Sequence, residues 1–189
     1  MVRSLDRAGF TPNALTFVGF GGVCVSAALL LAEQWVLGAL VFIGFALFDP
    51  LDGHLARYQG SVTKFGAWLD SFLDRAAEAV VFGAIGVVFA RDGNEIAVAA
   101  CFAALGGSFL VSYARARAEG LGIPGGSGGL MGRPERLVLL GAGLFLGGVG
   151  DLLEVTVIIL GALALVTAVE RLVIVRKESA AAERERTPA

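Results

Sequence analysis

The chain has 189 residues, of which 56% are hydrophobic and 17% charged, with a formal net charge of −2. A soluble domain carries about 25% charged residues. With a mean hydropathy of +0.77, this composition excludes an ordinary water-soluble globule and leaves little room for a separate soluble domain beside a membrane-embedded one.

Six apolar segments follow in order, at about 13–33, 35–58, 64–90, 96–119, 134–150 and 152–176. They predict an all-α polytopic membrane protein with six transmembrane helices. Residues 1–12 form an N-terminal cytoplasmic or interfacial segment, 13–176 the membrane domain, and 177–189 a cytoplasmic tail. Residues 8–32 hold no charge over 25 positions and 96–114 none over 19, and a span needs about 20 apolar residues. The last two segments have uncharged cores of 14 and 15 residues, at 137–150 and 155–169. They cross only if their polar ends belong to the same helices. No cleavable secretory signal is expected, because the first apolar run is long and precedes no soluble domain.

The first segment opens on Thr11-Pro12-Asn13-Ala14-Leu15-Thr16. Thr11 suits the N-cap and Pro12 the first helical position. Asn13 and Thr16 share one face. Between the second and third segments, Gly60-Ser61-Val62-Thr63 reads as a tight turn, with Ser61 or Thr63 capping the next helix. The tail from Glu178 reads as a frayed helix end or disorder. Cys24 and Cys101 lie in separate apolar segments without metal-ligand spacing and read as packing residues. His54 receives no role.

The charge is distributed unevenly. With six crossings, one side receives Arg3, Arg7, Arg57, Lys64, Arg75, Arg115, Arg117, Arg133, Arg136, Arg171, Arg176, Lys177, Arg184 and Arg186; the other receives Arg91. Positive loops remain cytoplasmic, which predicts a multi-pass cell-membrane protein with both termini and the acidic residues below near the cytoplasmic face. No nucleic-acid partner is expected.

Four aspartates interrupt otherwise apolar sequence: Asp49, Asp52, Asp70 and Asp74. An aspartate at membrane depth costs roughly 2.5–3.5 kcal/mol and usually faces a cavity or a partner. Asp49 and Asp52 are i,i+3 and Asp70 and Asp74 i,i+4, so each pair shares a helix face. Two such pairs facing each other make a carboxylate cradle large enough for two divalent ions, Mg²⁺ or Mn²⁺. Two-metal sites suit reactions at phosphorus. The plainer alternative is a structural ion-pair network with Arg57 and Arg75. Gly53 and Gly66 leave room beside the acids for a ligand or a neighbouring backbone. Arg57, i+4 from Gly53, suits phosphate oxygens of a ligand through its planar fork, with carboxylate pairing as a second role.

The fourth connection is also informative. Tyr113-Ala-Arg115-Ala-Arg117-Ala-Glu119 closes one helix, a Gly-rich loop runs from Gly120 to Gly132, and Arg133-Pro134-Glu135-Arg136 opens the next. Arginines at a membrane edge commonly anchor headgroups. Arg115, Arg133 and Arg171, from three helices on one side, instead suggest a site for a phosphate. Gly143 and Gly147 form one GxxxG in the fifth segment, a hint of close helix packing.

The spacing D-x2-D-G-x2-A-R-x8-G-x3-D-x3-D, matched at every specified position from Asp49 to Asp74, resembles the signature of the CDP-alcohol phosphatidyltransferase family. The resemblance implies a six-helix membrane enzyme that moves a phosphatidyl group from CDP-diacylglycerol to an alcohol and releases CMP. It implies that Asn13, Thr16 and Thr63 join Gly53, Arg57 and Gly66 in binding the CDP-lipid. It implies Asp74 as general base as well as metal ligand, and a homodimer. The strings Tyr113–Glu119 and Arg133–Arg136, with Arg171, are similar to the phosphatidylinositol-phosphate synthase branch and its archaeal ether-lipid relatives. That branch more often has Lys where Arg115 stands. The expected acceptor is inositol 1-phosphate, with glycerol 3-phosphate or an archaeal ether-lipid equivalent as the alternative. A small cation transporter or channel is the non-enzyme alternative, although no repeated half-motif or paired broken helices support it.

Overall fold

A computed structural model describes residues 1–123 and 128–186. Eight helices occur among them: α1 (Val2–Arg7), α2 (Pro12–Leu31), α3 (Trp35–Phe48), α4 (Leu51–Gln59), α5 (Lys64–Arg91), α6 (Glu95–Gly120), α7 (Arg133–Phe145) and α8 (Leu152–Arg186). No strand is present among the described residues. The central part of the Gly120–Gly132 loop, 124–127, and the last tail residues, 187–189, lie outside them.

Local chemistry sets the helix starts. Thr11 Oγ1 accepts the Ala14 N–H at 3.3 Å, and Pro12 occupies the first turn of α2. Thr63, not Ser61, caps α5 by accepting the Gly66 N–H at 3.0 Å. Gly60, left-handed at φ +63°, ends α4, a conformation that glycine adopts without a Cβ penalty.

The second apolar segment is not one helix. Pro50 has no N–H to give the Ala46 carbonyl and its ring crowds that turn, so α3 ends at Phe48 and α4 begins at Leu51. The break is mild, because Asp49 and Pro50 keep near-helical φ of −48° and −67°. The fifth segment ends at Phe145 rather than 150, in a turn rich in glycine. Gly147 is therefore outside α7. It packs against Trp35, and Gly143 packs under Thr156, so this GxxxG serves contacts within the chain. The stretch from Glu178 continues α8 to Arg186 instead of fraying, as its Ala, Glu and Arg content favours. The N-terminal segment contains α1, tied to α4 by Gln59 Nε2 donating to Asp6 Oδ1 at 2.8 Å.

The long helices close a ring. α2 packs on α3 and α5, α5 on α6, α6 on α8, α8 on α7, and α7 back on α3. Gly107 and Gly161 allow α6 and α8 to touch nearly backbone to backbone: a Cβ on Gly107 would lie 2.9 Å from the Ala164 carbonyl carbon. Leu30, Val81, Ile85, Leu144, Val157 and Leu160 fill the interior. Phe17, Leu40, Phe102, Leu110 and Leu172 face outward and stay exposed. A helix surface apolar both inside and out is what a lipid environment requires.

Four stretches are long and apolar enough to cross a membrane: Pro12–Leu31, Trp35–Gln59, Glu95–Gly120 and Leu152–Ala181. The protein is thus an all-α, multi-pass membrane protein. α5 has 28 residues, but Asp70, Asp74, Arg75 and Glu78 interrupt its apolar run. α7 has 13 residues, or about 20 Å of helix.

Candidate active site

The two upstream aspartates flank the Pro50 break. Asp49 sits at the end of α3 and Asp52 in the first turn of α4. They border one groove but have different hydrogen-bond partners. Oxygens of Asp49, Asp70 and Asp74 lie within 4.8 Å of one another. Asp52 stands outside that group. Its Oδ2 accepts the Thr16 hydroxyl at 2.7 Å, and its Oδ1 accepts the Gly53 N–H. Thr16 thus joins α2 to the acidic cluster by holding Asp52.

Cations cover the cluster. Arg133, first residue of α7, donates Nη1 to Asp49 Oδ2 at 2.7 Å and Nη2 to Asp74 Oδ1. Arg75 donates to the Ser71 carbonyl and to Ser112 Oγ at 3.1 Å, and lies 3.5 Å from Asp74 Oδ2. Arg57 donates to no carboxylate among the described residues; its guanidinium folds beside Gly53, where a Cβ would lie 3.5 Å from Nη1. The carboxylate pairing expected of Arg57 belongs to Arg133 and Arg75, because the Arg57 guanidinium lies along α4 beside Gly53.

A second, deeper pair lies one turn below. Arg136 Nη2 donates to Glu78 Oε1 at 3.0 Å, and the Ser108 hydroxyl donates to Glu78 Oε2. Both charged side chains are only 7–8% exposed. Sequence reading assigned neither Glu78 nor Arg136 a role. The signal was available: Glu78 is i+4 from Asp74, and Arg136 is i+3 from Arg133, so both ion pairs fall on the same two facing helix stripes.

The acids divide two cavities. One, of about 460 Å³, is lined by Asn13, Thr16, Gly53, Arg57, Thr63 and Gly66 together with Asp52 and Asp70. All six residues expected to bind the CDP-lipid therefore meet in one place. At Gly66 a Cβ would lie 3.1 Å from Thr63 Oγ1 and 3.3 Å from Asn13 Oδ1, so glycine preserves that corner. The other cavity, of about 970 Å³, contains Asp74 with Arg115, Arg133 and Arg171. The three expected acceptor arginines share it, and Arg75, Ser112, Tyr113 and Arg136 add to its wall. Arg115 is paired with Glu119 at 2.8 Å, and Arg171 Nη1 donates to the Val111 carbonyl at 2.9 Å. Arg133 does not point freely at this space, because both its amino groups are on aspartates.

The donor set suits a divalent cation. Three carboxylates converge and all ligands are hard oxygens, although Arg133 occupies one oxygen on each of two of them.

The profile of the CDP-alcohol phosphatidyltransferase family matches residues 10–167. The chain belongs to the CDP-alcohol phosphatidyltransferase family. A phosphatidylinositol phosphate synthase of Corynebacterium glutamicum is 41% identical over 194 aligned positions, covering 100% of this chain and 88% of the relative. One from Streptomyces avermitilis is 36% identical and covers 95% and 78%. Among solved structures, the Mycobacterium tuberculosis phosphatidylinositol phosphate synthase with CDP-DAG bound aligns with a TM-score of 0.85 at 34% identity, over 92% of this chain and 90% of that one. The same enzyme in complex with manganese and citrate gives 0.84 at 35%, over 92% and 86%. Family membership sets aside the transporter alternative, and the acidic group together with the manganese-containing relative identifies a metal-dependent phosphatidyltransferase using a divalent ion.

Proposed function

We propose that this enzyme transfers a phosphatidyl group from CDP-diacylglycerol to inositol 1-phosphate, releasing CMP and forming phosphatidylinositol phosphate. The observation that carries the reading is the placement of the acids between two cavities. Asp52 and Asp70 face the space lined by Asn13, Gly53 and Arg57, and Asp74 faces the space lined by Arg115, Arg133 and Arg171. A nucleotide-linked donor on one side and a phosphorylated polyol on the other then meet at the carboxylates. The similarity to phosphatidylinositol phosphate synthases over nearly the whole chain supports this acceptor.

Asp49, Asp70 and Asp74, with Asp52, would hold two ions, Mg²⁺ or Mn²⁺. When bound, they offset the charge of the donor pyrophosphate and of departing CMP. Asn13, Thr63 and the open corner at Gly66 orient the nucleotide, and Arg57 takes phosphate oxygens beside Gly53. An apolar groove of about 490 Å³ between α2 and α3, ending at Asp49 and Asp52, accommodates a donor tail. Asp74 takes the proton from the acceptor hydroxyl as that oxygen bonds to the lipid-bearing phosphorus. The bond from this phosphorus to the CMP oxygen breaks in the same displacement. Arg115 and Arg171 hold the acceptor phosphate.

The membrane arrangement belongs to the same proposal. Residues 13–176 form the membrane domain, flanked by an interfacial segment at 1–12 and a cytoplasmic tail at 177–189. α5 and α7 cross along with the four apolar spans, turning their charged residues inward. Six crossings bring both termini and the acids to the cytoplasmic face, the side rich in arginine. The opposite end is closed by Arg91 donating to the Leu31 carbonyl at 2.8 Å and Asn94 donating to Glu154 at 2.7 Å. A homodimer is part of the proposal through the family resemblance.

The test is CMP release from CDP-diacylglycerol by purified protein with inositol 1-phosphate, glycerol 3-phosphate or free inositol. Inositol 1-phosphate is the expected best acceptor. Faster reaction with glycerol 3-phosphate would move the assignment to a phosphatidylglycerophosphate synthase. Equal reaction with free inositol would remove the phosphate site.

A further inference from the structure

Arg133 stands at the boundary between the two halves of the site. Its two terminal nitrogens are spent on Asp49 and Asp74, two members of the three-carboxylate group. The same side chain lines the large cavity with Arg115 and Arg171, and its Nε is buried without a partner. Asp49 Oδ2 and Asp74 Oδ1 cannot be given wholly to a guanidinium and also to a divalent ion. A dication beside Arg133 also repels it.

We propose that Arg133 is an exchange cation: it neutralises Asp49 and Asp74 while no metal is bound, and moves to an anion in the adjoining cavity when metal is bound. The inference rests on the metal reading above. α7 need not move for this exchange. Arg136, three residues on, is held by Glu78 at 3.0 Å, and Ser108 of α6 fastens the same carboxylate. Only the Arg133 side chain changes partners, at the free end of a pinned helix. Its buried, unpartnered Nε gives the fork a further donor to offer an anion.

The exchange makes two binding events favour each other. Metal frees Arg133 for the anion, and an anion that draws Arg133 away frees the aspartates for metal. Linkage requires the effect to be equal in both directions. An acceptor phosphate would thus be gripped most tightly by a metal-loaded enzyme, which keeps an acceptor from occupying an incompetent site.

The test measures Mn²⁺ binding to the full-length protein in detergent, by the electron paramagnetic resonance of free Mn²⁺, with and without inorganic phosphate and with no donor lipid. For the wild type, phosphate should tighten Mn²⁺ binding by about fivefold or more, the lower end of ordinary coupling. Arg133→Ala should bind Mn²⁺ more tightly than wild type without phosphate, by a similar factor, and phosphate should add nothing. Arg133→Lys keeps the charge but loses the two-pronged bridge; it should also bind Mn²⁺ more tightly than wild type and show weaker coupling, which covers the case in which the Ala variant does not fold. Unchanged or weaker Mn²⁺ affinity in the variants overturns the proposal. Full phosphate coupling in both variants also overturns it, because phosphate would then act by touching the ion directly. A wild type with no saturable Mn²⁺ binding removes the metal reading itself, and the exchange with it.

Discussion

Glu78 accepts from Arg136 one helical turn below the point where Asp74 accepts from Arg133, so α5 and α7 are joined by two stacked ion pairs. The upper pair is partly open to the cavity, and the lower is sealed. Removing one partner of a buried pair strands the other charge at a cost of about 3–5 kcal/mol, whereas an apolar replacement of both is often neutral. Glu78→Ala should therefore unfold at markedly lower temperature in detergent, and Glu78→Leu combined with Arg136→Met should recover most of the loss. A Glu78→Ala protein as stable as wild type would show that the pair holds nothing together.

Chelation tests the acidic group. Excess EDTA should abolish CMP release, and Mg²⁺ or Mn²⁺ should restore it. Asp49→Asn and Asp70→Asn should each lose nearly all turnover while remaining folded, because taking one charge from a repelling cluster does not by itself destabilise it. Full turnover in EDTA would end the metal assignment.

Asp74→Asn separates proton transfer from ligation. A general base contributes typically 10²–10⁴-fold. A loss of that size in kcat with donor binding intact identifies a base, and a parallel loss of donor affinity identifies a ligand as well. Unchanged turnover would exclude both.

Arg171 tests the acceptor cavity away from the acids. Its guanidinium is buried and holds the Val111 carbonyl, yet it lines the same space as Asp74. A charge-assisted contact of roughly 1.5–3 kcal/mol predicts that Arg171→Ala raises KM for inositol 1-phosphate about 10–150-fold. KM for CDP-diacylglycerol should barely change. Equal rises for both substrates would mean that the arginine supports the fold and not the acceptor.

Much of this site was legible before the fold was known. Thr11 and Thr63 announced helix starts because a hydroxyl before an apolar run has a specific backbone partner. The aspartate spacing announced a carboxylate group because helix periodicity converts it into direction. Legibility failed where direction depends on a break. Asp49 and Asp52 were read on one continuous helix, although Pro50 lies between them and ends α3, and Asp52 accepts from Thr16 while Asp49 accepts from Arg133. It failed again where a charge has its partner far along the chain. Arg133 lies in the cavity expected of it, but its pairing with Asp49, 84 positions away, comes only from packing of α7 on α3. Glu78 and Arg136 were overlooked although their spacing from Asp74 and Arg133 put them on the same helix stripes, because only the packing of the helices makes them partners. The early end of α7 at Phe145 was written in Gly147, Gly148 and Gly150, but an unbroken apolar run masked it.

The wall of aspartates between the two cavities has a kinetic signature. With donor and acceptor in the two cavities as proposed, neither substrate must vacate its side for the other to enter, and the phosphatidyl group would pass directly between them. No residue of the chain needs to carry it. Initial-rate lines for the two substrates should intersect rather than run parallel, and a chiral lipid phosphorus should emerge inverted from a single in-line displacement.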